Sequence, residues 1–444
     1  MPSKKGASLT ELLDMLSVNV QNEEHANVLD LANKILRQNP ADKKAIRAKT
    51  IALIKLERYV DALAAATGGG ATHATELALE RGYCHYRVGQ LEVASDVVAT
   101  ALASKELGAI ERRGLIHLQA QIAYRLENFS QAKDLYSALG NESALVEGET
   151  HDILVNSLAI DAQQSFNTPG STDSARPVTA LSHEAAYNLA SLHIGEHRYR
   201  DALALLQQAK SLAQSVEGLS EEELEDELSP ILIQAAYVHI LLGEKEEATN
   251  ILCGIKSDDI AQPLIKDLII HNLLAIGDVP GYINDNPHVT LRLLDSVVHT
   301  KTSKSSYVRF QKRLLQKNRL TIEYQAGKEK AVKSGIKRHL AEYPDDESVR
   351  LLQFRPAVMD PFSTGGKYHD KTVLKRALKR FESDPGNVSM GFAIIQLLVQ
   401  QKNIDHAAEI AEKLLQNAKT KSPGLVAVVS EIFEQQGRKD KLVV

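Results

Sequence analysis

Fifteen histidines are the first candidates for chemistry in this chain, and they are dispersed along it. His193 and His197 stand four apart, a spacing at which two ligands on one helix face could share a metal ion. No glutamate follows His193 in the metalloprotease pattern, and no third ligand is evident. Gly68-Gly69-Gly70 is not followed by Lys-Ser or Lys-Thr, and Gly365-Gly366-Lys367 lacks the earlier glycine of a phosphate-cradling loop. There is no Gly-x-Ser-x-Gly elbow. Cys84 and Cys253 are too few and too far apart for a disulfide framework or a zinc site, and read as two reduced core thiols. These residues supply no catalytic set, no metal site and no cofactor site. The expectation is a protein that is not an enzyme.

What the residues do supply is recognition chemistry. Tyr86-Arg87 and Tyr124-Arg125 repeat one dipeptide, with Tyr83 three residues before the first. Tyr and Arg are enriched at interface hot spots because each joins a large apolar body to a directed polar end. The plainer alternative is that both tyrosines pack inside the fold and both arginines are solvated. A second feature is basic: residues 301–338 hold twelve Lys or Arg against two acids. Arg309, Lys312, Arg313, Lys317 and Arg319 cluster around the apolar Leu314, Leu315 and Leu320. That face reads as an RNA or ribosome surface, against the plainer reading of a solvated helix face.

The elements that must carry these residues repeat with a period near thirty-four. An aromatic or apolar residue, two polar residues and then Ala recur at Tyr59–Ala62, Leu91–Ala94, Phe129–Ala132 and Tyr199–Ala202. Gly82, Ala120 and Ala190 stand upstream, and Asn39-Pro40 and Tyr343-Pro344 fall where a second helix should stop. This is the signature of tetratricopeptide units, in which small residues let two antiparallel helices approach closely. A further unit runs through Ala236, Gly243 and Ala248, and weaker ones lie near Leu320–Pro344, Val373–Pro385 and Ile395–Leu415 with Ala407. The predicted fold is all-α, a right-handed solenoid of about nine degenerate repeats. Its concave face is lined by the first helix of each unit. Arg47, Ile51, Tyr83, Tyr86, Arg87, His117, Gln121, Tyr124 and Arg125 take concave positions in the second to fourth units.

Composition agrees with helices. Trp is absent, aromatics make up 5% and the hydrophobic share is 43%, which disfavours strands and disorder alike. The net charge of −5 excludes an overall basic footprint for nucleic acid. Residues 1–162 are expected to be partner-binding units and 163–180 a mobile loop rich in Asn, Pro, Gly and Ser. Central units follow at 181–260, with an acidic insert at 217–228 that carries seven acids and no base. Degenerate units fill 261–444, interrupted by a split-unit loop at 356–369 and irregular near 280–306. The longest apolar-rich stretch, Ile231 to Leu242, is far short of a membrane span. No secretory signal is seen after Met1, so a cytoplasmic location without membrane insertion is expected.

Several stretches resemble a known family. Gly82-Tyr83-Cys84-His85-Tyr86-Arg87, Gln121 to Glu127, Tyr187 to Ala190 and Leu206 to Ala209 are similar to the tetratricopeptide region of the seventy-two-kilodalton subunits of the eukaryotic signal recognition particle. The acidic stretch near Glu221 and Lys421-Ser422-Pro423-Gly424 follow in the same order. The resemblance implies a scaffold that binds the C-terminal part of the sixty-eight-kilodalton subunit. It also implies a heterodimer on the particle (7S) RNA that supports cotranslational targeting to the endoplasmic reticulum, with assembly in the nucleolus. In that family a Lys-rich segment after the repeats binds RNA; here the chain stops at Val444 with an uncapped half-unit, so a piece of a longer protein is expected. A co-chaperone clamp for a chaperone C-terminus is the alternative. It needs Lys and Asn where the first unit has Leu13 and Ser17, and Asn where the second has Ala48.

Overall fold

A computed structural model describes residues 8–67, 76–104, 107–143, 146–167, 182–255, 263–277, 286–297, 307–344, 346, 349, 352, 369–418 and 423–438. Its regular elements among those residues are twenty-one α-helices and a few 3-10 positions. Two compact units divide the chain, Met1–Asn272 with Thr300–Phe310, and Leu273–His299 with Gln311–Val444.

In the first unit the helices come as antiparallel pairs: α1 (Leu9–Gln21) with α2 (His25–Gln38), α3 (Lys43–Lys55) with α4 (Tyr59–Thr67), α5 (Ala78–Val88) with α6 (Leu91–Leu102), and α7 (Ala109–Arg125) with α8 (Phe129–Asn141). After the single helix α9 (Glu149–Asn167) come α10 (His183–Gly195) with α11 (Tyr199–Gln214), α12 (Glu221–Leu242) with α13 (Lys245–Gly254), and the start of α14 (Pro263–Ile276). The second unit includes α15 (Pro287–Val297), most of α16 (Arg309–Gln325), α17 (Glu329–Glu342), α18 (His369–Ser383), α19 (Val388–Gln400), α20 (Ile404–Asn417) and α21 (Pro423–Gln435).

Each pair turns in the same way. A residue with positive φ stands two before the second helix: Glu23, Glu57, Gly89, Glu127, His197 and Gly243 in the first unit, Gly327 and Lys402 in the second. The next residue's N–H then donates to a carbonyl five residues back, as in Arg58 to Leu53 at 2.8 Å and Arg198 to His193 at 2.8 Å. That bond closes the first helix and aims the second back along it. The pair is then held by small residues. Ala62, Ala94, Ala132, Ala202, Ala248 and Ala407 are completely buried. At Gly82 an added Cβ would meet Val98 Cγ2 at 2.9 Å, so the helices there approach too closely for a side chain. The expected all-α, tetratricopeptide-like solenoid is what folds.

Three expectations need correction. Residues Gln163–Asn167 are not loop: α9 runs through them, and residues 168–180 lie outside the described residues. The helix persists because Ser165 is buried against α10, where a Cβ on Gly195 would come within 1.9 Å of the Ser165 hydroxyl. The acidic stretch is not a separate insert either, since from Glu221 onward it forms the first turns of α12. Ser220 and Glu223 close a reciprocal capping box there, and carboxylates at a helix N-terminus are favoured by the helix dipole. Third, His193 and His197 do not share a helix face, because α10 ends at Gly195 and His197 occupies the left-handed turn. The loop expected at 356–369 lies outside the described residues, apart from His369, which begins α18.

Candidate functional site

The first helices of successive pairs, α3, α5 and α7, lie side by side. Arg47 on α3 reaches Glu80 on α5 at 3.3 Å, and Ile51 stands exposed beside that bridge. From there a row of rings and guanidiniums crosses the surface. The Arg87 guanidinium lies 4.6 Å from the Tyr59 ring centroid and 5.8 Å from that of Tyr83, and donates to the Tyr83 hydroxyl at 2.8 Å. Tyr83 and Tyr86 follow with centroids 6.4 Å apart, and Arg125 lies 4.8 Å from the Tyr86 ring. Arg125 also donates to the Tyr86 backbone carbonyl at 2.8 Å, which ties α7 to α5. Burial pushes the Tyr86 phenol above its ordinary pKa, partly offset by Arg125, and burial drives Tyr124 up to about 12. Both rings are therefore neutral donors near pH 7.

Thus the structure brings together Tyr83, Tyr86, Arg87 and Arg125, and adds Tyr59 from α4, which its place in the repeat signature had marked only as a packing residue. A planar guanidinium on a ring is held flat by the ring's quadrupole, while the N–H donors not already engaged keep the edge available. Such a wall can take an extended or helical segment that presents carboxylates and apolar side chains.

His117 and Gln121 point to different work. Glu149, at the start of α9, is buried; Arg113 Nε donates to its Oε1 at 2.8 Å, and His117 Nε2 lies 3.0 Å from the same oxygen. Arg113 further donates to Glu142 at 2.8 Å and to the Leu139 carbonyl at 3.1 Å, so one guanidinium fastens α7, α8 and α9. His117 also meets the Tyr136 ring edge-on at 5.8 Å. Beside this knot opens a cleft of about 210 Å³, lined by Tyr86, Gln121, Tyr124, Tyr136, Asn156, Ala159 and Ile160. Three of these come from α9, a helix that carries no small-residue signature. Leu154, Leu158 and Ala162, four apart along it, were the helical signal that could have found it.

The basic helix is different again. Arg313 and Lys317 converge on Asp346 at 3.5 and 3.4 Å, and Arg319 reaches Asp295 at 2.8 Å and Glu323 at 3.1 Å. Glu342, near Lys312, is held below the usual carboxylate range chiefly by a hydrogen bond from Gln316. In the first unit, the Arg309 backbone N–H is bound by Glu127. Among the described residues no group of His, Cys, Asp and Glu could hold a metal ion, and no helix is long and apolar enough to cross a membrane. Cys84 is buried, its thiol pushed up to about 11, whereas Cys253 is only partly buried, so the pair of core thiols reduces to one.

A family model for the SRP TPR-like repeat matches residues 21–163, the stretch that contains this wall and cleft. Signal recognition particle subunit SRP72 of Caenorhabditis elegans is 29% identical over 257 residues, covering 57% of this chain and 38% of that one. The SRP72 subunit of Homo sapiens is 24% identical over 482 residues, covering 99% of this chain and 69% of the relative. The chain thus spans well under two thirds of the nematode relative's length. Among solved structures, a tetratricopeptide repeat protein from Parabacteroides merdae aligns with a TM-score of 0.43 and 15% identity, covering 60% of this chain and 100% of that one. With repeat pairs of this kind and subunit relatives aligned along nearly its whole length, this chain is similar to the SRP72 subunits of the signal recognition particle, and its helix pairs resemble a tetratricopeptide region.

Proposed function

We propose that the chain is the protein-holding scaffold of the particle, and that the wall of α3, α5 and α7 grips the C-terminal part of the sixty-eight-kilodalton subunit. The heterodimer so formed sits on the particle RNA and supports cotranslational targeting to the endoplasmic reticulum. The row Tyr59, Arg87, Tyr83, Tyr86, Arg125 carries this reading, because it sets two guanidiniums over tyrosine rings, 4.6 and 4.8 Å from the nearer centroids. Peptide carboxylates would meet the guanidinium edges, and apolar side chains would lie against the tyrosines. On the basic helix, by contrast, Arg313, Lys317 and Arg319 each have a carboxylate partner within the chain.

The test is calorimetric titration of the sixty-eight-kilodalton subunit's C-terminal segment into the parent and into Arg87→Ala with Arg125→Ala. Hot-spot residues are worth on the order of 2 kcal/mol each, so the double variant is expected to bind at least a hundredfold more weakly at equal helical content. Unaltered affinity in a folded double variant would place the partner elsewhere.

A further inference from the structure

The cleft beside the wall has a lining that the wall reading leaves unused. The Tyr136 hydroxyl belongs to that lining; it is buried, and its polar neighbour, the Gln121 side chain, lies close enough to lower the phenol's pKa a little but does not meet it in full hydrogen-bonding geometry. Folded proteins keep few buried polar atoms unmatched, and those they keep call for a reason. Burial holds the phenol well above its ordinary pKa, so it is present as a donor. On α9, Asn156 gives one Nδ2 hydrogen to the Asp152 carbonyl at 2.8 Å, which leaves Oδ1 as an acceptor, with the second N–H, to meet a ligand. The remaining lining is the rings of Tyr86 and Tyr124, Gln121, Ala159 and Ile160.

Two properties of that lining define its occupant. No lysine, arginine, histidine, aspartate or glutamate is among the lining residues, so a charged group entering would lose its hydration with no counter-ion. A cavity of roughly 150 Å³ is enough to hold benzene, so about 210 Å³ admits one side chain, whereas a helix some 10 Å across cannot enter. A donor and an acceptor above apolar walls are matched by a group that is flat, neutral, and both acceptor and donor.

We propose that this cleft is a specificity pocket of the partner groove and takes one carboxamide side chain, an asparagine or glutamine, of the bound segment. The Tyr136 hydroxyl donates to the carboxamide oxygen, and the carboxamide nitrogen donates to Asn156 Oδ1. The idea rests on the reading that the partner lies along the wall, because Tyr86 belongs to both wall and cleft.

Tyr136→Phe is the decisive variant. It removes an unmatched hydroxyl from the free protein, so its melting temperature should stay level or rise, yet the sixty-eight-kilodalton subunit's C-terminal segment should bind it about fivefold to tenfold more weakly. Ala159→Leu, which fills the cleft, should weaken binding further at unchanged helical content. Replacing the partner's asparagines and glutamines by leucine one at a time should reveal one position at which the Tyr136→Phe effect disappears. If Arg87→Ala with Arg125→Ala weakens binding while Tyr136→Phe does not, the groove stands and the pocket proposal fails. If neither variant changes affinity, the groove reading fails and the pocket with it.

Discussion

The wall formed by α5 and α7 and the helix α16 both carry arginine, yet Arg87 and Arg125 of the wall meet surroundings opposite to those of the α16 arginines. On the wall, Arg87 and Arg125 lie over tyrosine rings, and the nearest carboxylate to Arg87 is Glu57 at 3.8 Å, itself largely exposed. On α16, Arg313 and Lys317 share the buried Asp346, while Arg319 lies between Asp295 and Glu323. A cation on a ring keeps most of its charge and several donors for an incoming acceptor, whereas a cation set between carboxylates has had its field cancelled locally. The difference shows that a surplus of basic residues in a window of sequence does not by itself make a face for polyanions. Of the acids that answer α16, only Glu323 lies within residues 301–338; Asp295, Glu342 and Asp346 lie outside it, and the fold brings them back.

The sharpest way to strain that comparison is to remove a third arginine, one in the wall region that carboxylates already surround. Arg113 is buried among Glu149, Glu142 and the Leu139 carbonyl, so Arg113→Ala leaves a buried carboxylate with its main partner gone. Breaking a buried pair in this way costs about 3–5 kcal/mol, the largest effect expected for a single change in the wall region. Urea unfolding followed by far-ultraviolet dichroism would measure it. A loss below about 1 kcal/mol would mean that α9 is held by its apolar face alone.

A smaller effect is expected from Asp346→Asn. The parent should bind the particle RNA weakly and with steep salt dependence, because Arg313 and Lys317 are paired with Asp346 and the chain is net acidic. Releasing Arg313 and Lys317 should tighten binding at low salt and steepen the dependence on salt by roughly one to two counterions. Filter binding across a salt series would read both. Tight binding by the parent near physiological salt would erase the contrast between the two helices and make α16 a nucleic-acid face after all.

How much of this could be read from the residues depends on the range of the interaction. The alanines at 62, 94, 132 and 202 were legible because their partners recur at a fixed short distance in the chain. So was the nearness of Tyr83, Tyr86, Arg87 and Arg125, which one repeat places beside another, although Tyr124 turns instead to Phe129 and the cleft. The knot around Glu149 was not, since Arg113 meets it across thirty-six positions and no repeat template covers α9. For the same reason His117 reads as a groove residue in the sequence but in the fold stands against Glu149 and Tyr136. The turns were half legible. Gly89, Gly243 and Gly327 announce a left-handed residue, but Glu23, Glu57, Glu127, His197 and Lys402 adopt it with no glycine to signal it.

Those turns support the last and smallest prediction, which returns to the wall. A side chain in the left-handed region costs about 1–2 kcal/mol, and glycine there loses about 0.5–1 kcal/mol of that gain to the entropy of the unfolded chain. Lys402→Gly, at φ 59°, should therefore stabilise the protein by about 0.5 kcal/mol. Glu57→Gly, also at φ 59°, relieves the same strain but removes the carboxylate 3.8 Å from Arg87. An exposed pair at that distance is worth well under about 1 kcal/mol, so Glu57→Gly should gain slightly less than Lys402→Gly. Paired urea midpoints would give the difference. The wall reading adds a second readout, because removing Glu57 leaves the Arg87 guanidinium on the Tyr59 ring with one competitor fewer for a partner's carboxylate. Glu57→Gly should then bind the sixty-eight-kilodalton subunit's C-terminal segment at least as tightly as the parent, and more tightly at low salt. Weaker binding by this variant, at undiminished stability, would show that Glu57 rather than the ring sets the position of Arg87, and that the wall differs from α16 only in how exposed its ion pairs are.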